Sequence, residues 1–164
     1  MGRPSRAVQV MVVEDDGELR EELCELLAFE GYHPIGCRDG RGAWTQLSSG
    51  LRPDVIVTDL GLPGLSGREL VQLIREQAWG QRIPVLLLSA WENAGRFAIP
   101  ADVVLVKGGE PEAFARAVDR LSGRDIQPRK TSPLMRRPPR RVTESTAPST
   151  EGSAAGRRRR ATAR

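Results

Sequence analysis

Short apolar runs alternate along residues 7–123 with longer segments in which apolar positions recur every three or four residues. The short runs are rich in β-branched residues, which is typical of buried strands. Four of them stand out, at residues 8–13, 55–58, 83–88 and 103–106, and a weaker fifth strand pattern lies around residues 32–37. The first longer segment has Leu19 and Leu23 on one helical face and Arg20 on the opposite, polar face. This alternation predicts five strands connected by helices.

Three local patterns mark where helices begin. Ser66 and Glu69 have the spacing of a capping box, which predicts a helix directly after Ser66. Pro111 suits the first position of a helix, because the N–H group that proline lacks would have no partner there. Asp16 is expected to cap the helix that follows the first strand.

The order of the elements predicts the fold class. Alternating strands and helices at this length form a parallel sheet with helices on both faces. We expect an α/β, flavodoxin-like, doubly wound sheet with strand order 2-1-3-4-5. Only 17 residues separate Ser89 from Lys107, so the helix between the fourth and fifth strands is expected to be short.

Charge divides the chain into two parts. Residues 1–123 contain 13 Lys and Arg against 18 Asp and Glu, whereas residues 124–164 contain 12 against 3. The net charges are therefore −5 and +9, and the second segment has no apolar period. We expect one folded domain over residues 7–123 and a disordered basic tail over residues 124–164. The tail could bind nucleic acid or an acidic protein partner, or remain a solvated extension.

Nothing in the sequence predicts export or membrane insertion. No apolar run approaches the roughly 20 residues that span a bilayer, and residues 1–6 lack the apolar core of a signal peptide. Cys24 and Cys37 form neither a CxxC pair nor a zinc-binding pattern, so we expect buried, reduced thiols. A cytoplasmic protein without a membrane partner is the expectation.

Polar residues follow four of the five apolar runs. They are Glu14, Asp15, Asp59, Ser89 and Lys107. Because parallel strands bring their carboxyl ends to one edge of a sheet, we expect these residues to meet in one crevice. A carboxylate cluster with a hydroxyl and an ammonium group is the chemistry of a divalent-metal site that handles a phosphoryl group.

The segment after Asp59 is a tight loop rich in glycine and proline. Such a loop can hold backbone carbonyl groups at fixed angles. Mg²⁺ takes oxygen ligands, and we expect Asp15, Asp59 and the backbone carbonyl of Gly61 to supply them.

Several motifs occur here in a fixed order. They are Val-Val-Glu-Asp-Asp at 12–16, Pro-Asp-Val-Ile-Val-Thr-Asp-Leu-Gly-Leu-Pro-Gly at 53–64, Ile-Pro-Val-Leu-Leu-Leu-Ser-Ala at 83–90, and Lys107. With these motifs, residues 7–123 resemble the receiver domain of two-component response regulators. The resemblance covers essentially the whole predicted domain.

The resemblance implies a role for each matched residue. Asp59 would accept a phosphoryl group from a sensor histidine kinase or a phosphotransfer protein. Asp15 would hold Mg²⁺ directly, and Glu14 through water. Ser89 and Lys107 would each contact a phosphoryl oxygen. The protein would then be a signalling protein and not an enzyme, with its output carried by protein–protein contacts.

The sequence departs from the family pattern around the last two strands. Val104 stands where the family usually has an aromatic residue, and Gly108 stands where a proline with a cis peptide bond usually follows the lysine. A non-proline cis bond costs about 2.5–4 kcal/mol, so we expect a trans bond here. We expect phosphoryl chemistry to be retained and the output surface to differ.

Three other functions are alternatives to a phosphorylated receiver, and the sequence lacks a feature that two of them require. A pseudo-receiver would keep the fold and bind partners without phosphorylation, with the basic tail adding contacts to nucleic acid or an acidic partner. Phosphatases of the haloacid-dehalogenase type need a second acid where Gly61 stands. A flavodoxin-type flavin carrier needs a Ser/Thr-rich phosphate loop after the first strand, and this sequence has Glu14 and Asp15 there.

Overall fold

Five parallel strands form a single sheet in the order β2-β1-β3-β4-β5. The structure is a computed structural model that describes residues 6–90 and 99–123. Its elements are β1 (Gln9–Val13), α1 (Gly17–Phe29), β2 (His33–Cys37), α2 (Gly40–Ser48), β3 (Val55–Asp59), α3 (Gly67–Glu76), a 3-10 helix (Gly80–Arg82), β4 (Val85–Ser89), β5 (Val103–Val106) and α4 (Pro111–Ser122). The predicted flavodoxin-like fold class and strand order are confirmed.

The sheet is covered on both faces, so its central strands are apolar at nearly every position. Successive residues of β1 point to opposite faces: Met11 lies in one core cluster and Val10 in the other. Ile56 and Val57 divide in the same way in β3. This explains why the strands read as continuous apolar runs and not as alternating ones.

Each predicted helix start is found. The Asp16 side chain accepts hydrogen bonds from the first turn of α1. Ser66 and Glu69 form a complete capping box at α3, and Pro111 opens α4. These caps satisfy N–H groups that have no partner within the helix, and they set where α1 and α3 begin relative to the sheet edge.

Two strands extend one residue further than the apolar pattern indicates. The apolar runs end at residues 58 and 88, which predicts Asp59 and Ser89 just beyond the strands. In the structure, these two residues are the last residues of β3 and β4. Main-chain pairing continues past the apolar run, because Asp59 pairs with Leu88 and Ser89 pairs with Val106. Both polar side chains are therefore held by the rigid sheet.

Arg75 of α3 fixes the start of β5. Its guanidinium donates to the Asp102 carboxylate and to the main-chain carbonyls of Gly80, Ile83 and Pro100, at 2.6–3.0 Å. The same carboxylate accepts from the main chain at the start of β4. The network joins α3, β4 and β5 at the edge opposite the polar residues.

Some expectations concern residues that the structure does not describe. The short helix predicted between β4 and β5 falls largely on residues 91–98, and the basic tail on residues 124–164; both lie outside the described residues. None of the helices that the structure describes combines the length and the apolar composition of a membrane span. Cys24 and Cys37 are free thiols, and Cys24 is only half-buried, contrary to expectation, because it lies at the edge of α1's buried face.

Candidate metal centre at the carboxyl edge of the sheet

The sheet's own hydrogen bonding sets the main chain of the candidate residues. Glu14 follows β1, and its N–H donates to the Cys37 carbonyl at 3.0 Å. Lys107 follows β5, and its N–H donates to the Ser89 carbonyl at 2.8 Å. Both residues thus prolong the parallel pairing by one step, which fixes the points from which their side chains leave the backbone.

Three carboxylates converge at this edge. One oxygen each from Glu14, Asp15 and Asp59 lies within 4.8 Å of the other two. Glu14 is 1% exposed and Asp59 6%, whereas Asp15 is exposed to solvent. Like charges this close repel one another, and the repulsion is strongest where burial removes water.

Lys107 neutralises part of this charge. Its Nζ lies 2.8 Å from Glu14 Oε2 and 2.8 Å from Asp59 Oδ2. Burial raises the pKa of Glu14, and the hydrogen bond from Lys107 only partly opposes that rise. Burial acts to lower the pKa of Lys107, but its hydrogen bonds to Asp59 and Glu14 outweigh burial and raise that pKa overall.

Two further candidate residues flank Asp59. The Gly61 N–H donates to Asp59 Oδ1 at 3.1 Å, so the loop after β3 folds back over the carboxylate. A Cβ atom at Gly61 would lie 3.7 Å from Asp59 Oδ2. Ser89 ends the neighbouring strand β4 and is 1% exposed. The role predicted for the Gly61 carbonyl, as a Mg²⁺ ligand, and that predicted for the Ser89 hydroxyl, as a contact to a phosphoryl oxygen, remain predictions.

Sequence reasoning missed one residue at this site. The helical pattern predicts Arg20 on the exposed polar face of α1, but it is half-buried and its Nη1 donates to the Glu14 carbonyl at 2.7 Å. The helical period gives the direction of a side chain only roughly, and a long side chain can fold back across the first turn. No pattern in the sequence marks this contact.

The donor set fits a hard cation. All three clustered groups are carboxylates, which are ligands that Mg²⁺ prefers. Ligands of one Mg²⁺ are at most about 4.2 Å apart, so small rotations, or one bridging water, bring these oxygens into range. The exposure of Asp15 leaves a path from solvent to the cluster.

We expect replacement of Lys107 by methionine to destabilise the metal-free protein by about 1–3 kcal/mol at neutral pH, because two buried carboxylates lose their cation. The pKa of Glu14 is already raised by burial, and Lys107 holds it lower than burial alone would. Without Lys107 that pKa should rise further, so Lys107→Met gains more stability than wild type as Glu14 is protonated, and the deficit should shrink as the pH falls. Urea unfolding of Lys107→Met and of Arg116→Met, an exposed control on α4, measures it. Equal stability of Lys107→Met and wild type would contradict the ion pairing described.

Comparison with known proteins identifies the family. Residues 10–118 match the response regulator receiver domain family, so the chain belongs to this family of two-component signalling domains. The phosphate regulon transcriptional regulatory protein PhoB of Klebsiella pneumoniae is 37% identical over 84 residues, which cover 51% of this chain. That match spans only 36% of PhoB's own length.

Solved structures agree with the fold. The chemotaxis response regulator CheY4 of Vibrio cholerae is 28% identical with a TM-score of 0.66, covering 71% of this chain and 99% of CheY4. The response regulator TrrA of Thermotoga maritima, solved in complex with Mg²⁺-BeF, is 29% identical with a TM-score of 0.64. That match covers 69% of this chain and 97% of TrrA. Receiver domains bind Mg²⁺ at an acidic site and interact with histidine kinases or phosphotransfer proteins.

Proposed function

We propose that this chain takes part in phosphorelay signalling, with Asp59 accepting a phosphoryl group from a sensor histidine kinase or a phosphotransfer protein. One observation carries the proposal: Lys107 Nζ lies 2.8 Å from both Asp59 and Glu14, with Asp15 beside them. An aspartate between a fixed ammonium group and an acidic cation site is suited to accept a group that carries several negative charges.

Glu14, Asp15, Asp59 and the carbonyl of Gly61 are the proposed Mg²⁺ ligands. The convergence of three carboxylates supports this assignment, and so does the Mg²⁺-BeF complex of the similar regulator TrrA. When bound, the cation neutralises negative charge on the phosphoryl oxygens. It also relieves the repulsion among carboxylates that the single Lys107 ammonium group balances only in part.

The transfer needs little covalent chemistry from the protein. An Asp59 carboxylate oxygen attacks phosphorus in line with the departing histidine nitrogen of the donor. The P–N bond breaks as the P–O bond forms, and the histidine keeps the electron pair. Because the transition state is loose, positioning and charge neutralisation dominate. Lys107 and the Ser89 hydroxyl are the proposed contacts to the phosphoryl oxygens.

The proposed output runs through protein contacts. The receiver domain occupies residues 7–123, followed by a basic segment at residues 124–164. Val104 packs, partly buried, against the core, and the peptide bond between Lys107 and Gly108 is trans. We infer an output surface that differs from the usual family pattern. We propose that the protein acts in the cytoplasm, where its two free thiols would stay reduced.

Acetyl phosphate, a small phosphoryl donor, tests the proposal on the full chain. With Mg²⁺ present, we expect intact-mass spectrometry to detect a gain of one phosphoryl group per molecule. EDTA should abolish the gain, because transfer needs the cation beside Asp59. No gain with Mg²⁺, or an equal gain with EDTA, would contradict the proposed chemistry.

A further inference from the structure

The loop between β1 and α1 is held at Glu14 from two sides. On one side the Glu14 N–H donates to the Cys37 carbonyl of β2 at 3.0 Å. On the other side the Glu14 carbonyl accepts from Arg20 Nη1 at 2.7 Å. Asp15 follows directly after this doubly anchored residue, and the anchored Glu14 carbonyl belongs to the peptide group that joins Glu14 to Asp15. Any movement of the Glu14 carbonyl therefore moves the exposed carboxylate of Asp15 relative to Asp59.

Arg20 is well placed to hold this contact. Its aliphatic stem lies over β2, where a Cβ atom at Gly36 would be 3.5 Å from Arg20 Cδ. Its Nη2 lies 3.6 Å from the position of a Cβ at Gly17, in the first turn of α1. The side chain thus lies between β2 and the first turn of its own helix, and its guanidinium loses little additional freedom when it donates to Glu14.

We propose that Arg20 is a positioning residue for the cation site, acting through the main chain of Glu14 and not as a ligand. The inference rests on the proposed Mg²⁺ site. Outer groups that orient metal ligands typically change metal affinity by about 10–100-fold when they are removed. Arg20 fixes the peptide between the buried acid Glu14 and the exposed acid Asp15, and so sets the spacing of two ligands.

The charge of Arg20 has the opposite effect on the cation. A guanidinium group near an acidic site repels Mg²⁺, so its removal should tighten binding if charge were its main influence. Loss of the hydrogen bond to Glu14 should weaken binding, because the ligands are no longer held at the required spacing. The sign of the change in affinity therefore separates the two roles.

Calorimetric titration of the full chain with MgCl₂ tests the inference. We expect Arg20→Met, which keeps a similar aliphatic stem, to bind Mg²⁺ about tenfold more weakly than wild type. Arg120→Met makes the same charge change in the last turn of α4 and should leave the affinity unchanged. Thermal unfolding without Mg²⁺ establishes that each variant is folded before it is titrated.

Arg20→Lys is a second variant, in case Arg20→Met does not fold. It keeps the charge and a donor on a shorter side chain, so its Mg²⁺ affinity should lie below that of wild type and above that of Arg20→Met. If wild type binds Mg²⁺ and Arg20→Met binds it equally or more tightly, this inference alone is overturned. If Arg20→Met does not fold, the same result with Arg20→Lys overturns it. Failure of wild type to bind Mg²⁺ would overturn the proposed function, and this inference with it.

Discussion

Asp59→Asn is expected to gain no phosphoryl group from acetyl phosphate under conditions that modify the wild-type protein. An amide oxygen is not a nucleophile of comparable strength, and asparagine otherwise preserves the size of the side chain. Its carbonyl oxygen can still accept the hydrogen bond that Asp59 Oδ1 receives from the Gly61 N–H. The loss should be complete, and intact-mass spectrometry after a timed incubation measures it.

Asp39→Asn is the matched control for this experiment. Asp39 caps α2 by accepting from the Gly42 N–H, and asparagine caps a helix about as well as aspartate. This variant should be modified like wild type, and at Asp59 alone. A phosphoryl group that persists in Asp59→Asn would show a different acceptor, and the account of Asp59 would be wrong.

Gly67→Ala should be strongly destabilising, because the start of α3 lies against the end of β3. A Cβ atom at Gly67 would overlap the Asp59 carbonyl oxygen and lie 2.8 Å from the Asp59 carbonyl carbon. It would also lie 3.1 Å from Leu60 Cα. These are backbone atoms of a buried strand and its loop, so no rotamer change relieves the clash. Overpacking of this kind costs about 1–3 kcal/mol or more. Alanine gains roughly 1 kcal/mol over glycine in helix propensity, and we expect the overpacking cost to outweigh that gain.

Urea unfolding of Gly67→Ala and Gly17→Ala measures the cost. Gly17 also begins a helix, but the atom nearest to an added Cβ is the flexible end of Arg20 at 3.6 Å. Gly17→Ala should therefore be neutral or slightly stabilising. Gly67→Ala should also reduce phosphorylation, since relief of the overlap requires either α3 or the main chain of Asp59 to move. A free energy of unfolding equal to that of wild type would contradict the close packing.

Most of the fold follows from local pattern and a few topological rules. Apolar runs predict the central strands β1, β3 and β4, because a sheet covered on both faces needs apolar residues at successive positions. Ser66 with Glu69, and Asp16, mark helix starts through short-range hydrogen bonds that depend only on neighbouring residues. Right-handed crossover connections then leave few strand orders, of which 2-1-3-4-5 is confirmed.

Other features depend on register and on the reach of single side chains. Asp59 and Ser89 belong to the strands because their partners Leu88 and Val106 continue the pairing, which a single run of sequence does not reveal. Lys107 contacts the carboxylates of Glu14 and Asp59 at once, although Glu14 is 93 residues away in the sequence. Three-dimensional packing sets this contact too. The contact of Arg20 with Glu14 belongs to the same group, because the helical period alone assigns Arg20 to solvent.

We propose above that Glu14 and Asp15, directly after β1, and Asp59, at the end of β3, hold one divalent cation. Calorimetric titration of wild type, Asp15→Asn and Asp16→Asn with MgCl₂ tests it most directly. Asp15 is exposed, so its replacement should leave the fold intact, and Asp16→Asn keeps the cap of α1. We predict one site in wild type, binding at least about tenfold weaker in Asp15→Asn, and near wild-type affinity in Asp16→Asn. Equal Mg²⁺ affinity in wild type and Asp15→Asn would contradict the account.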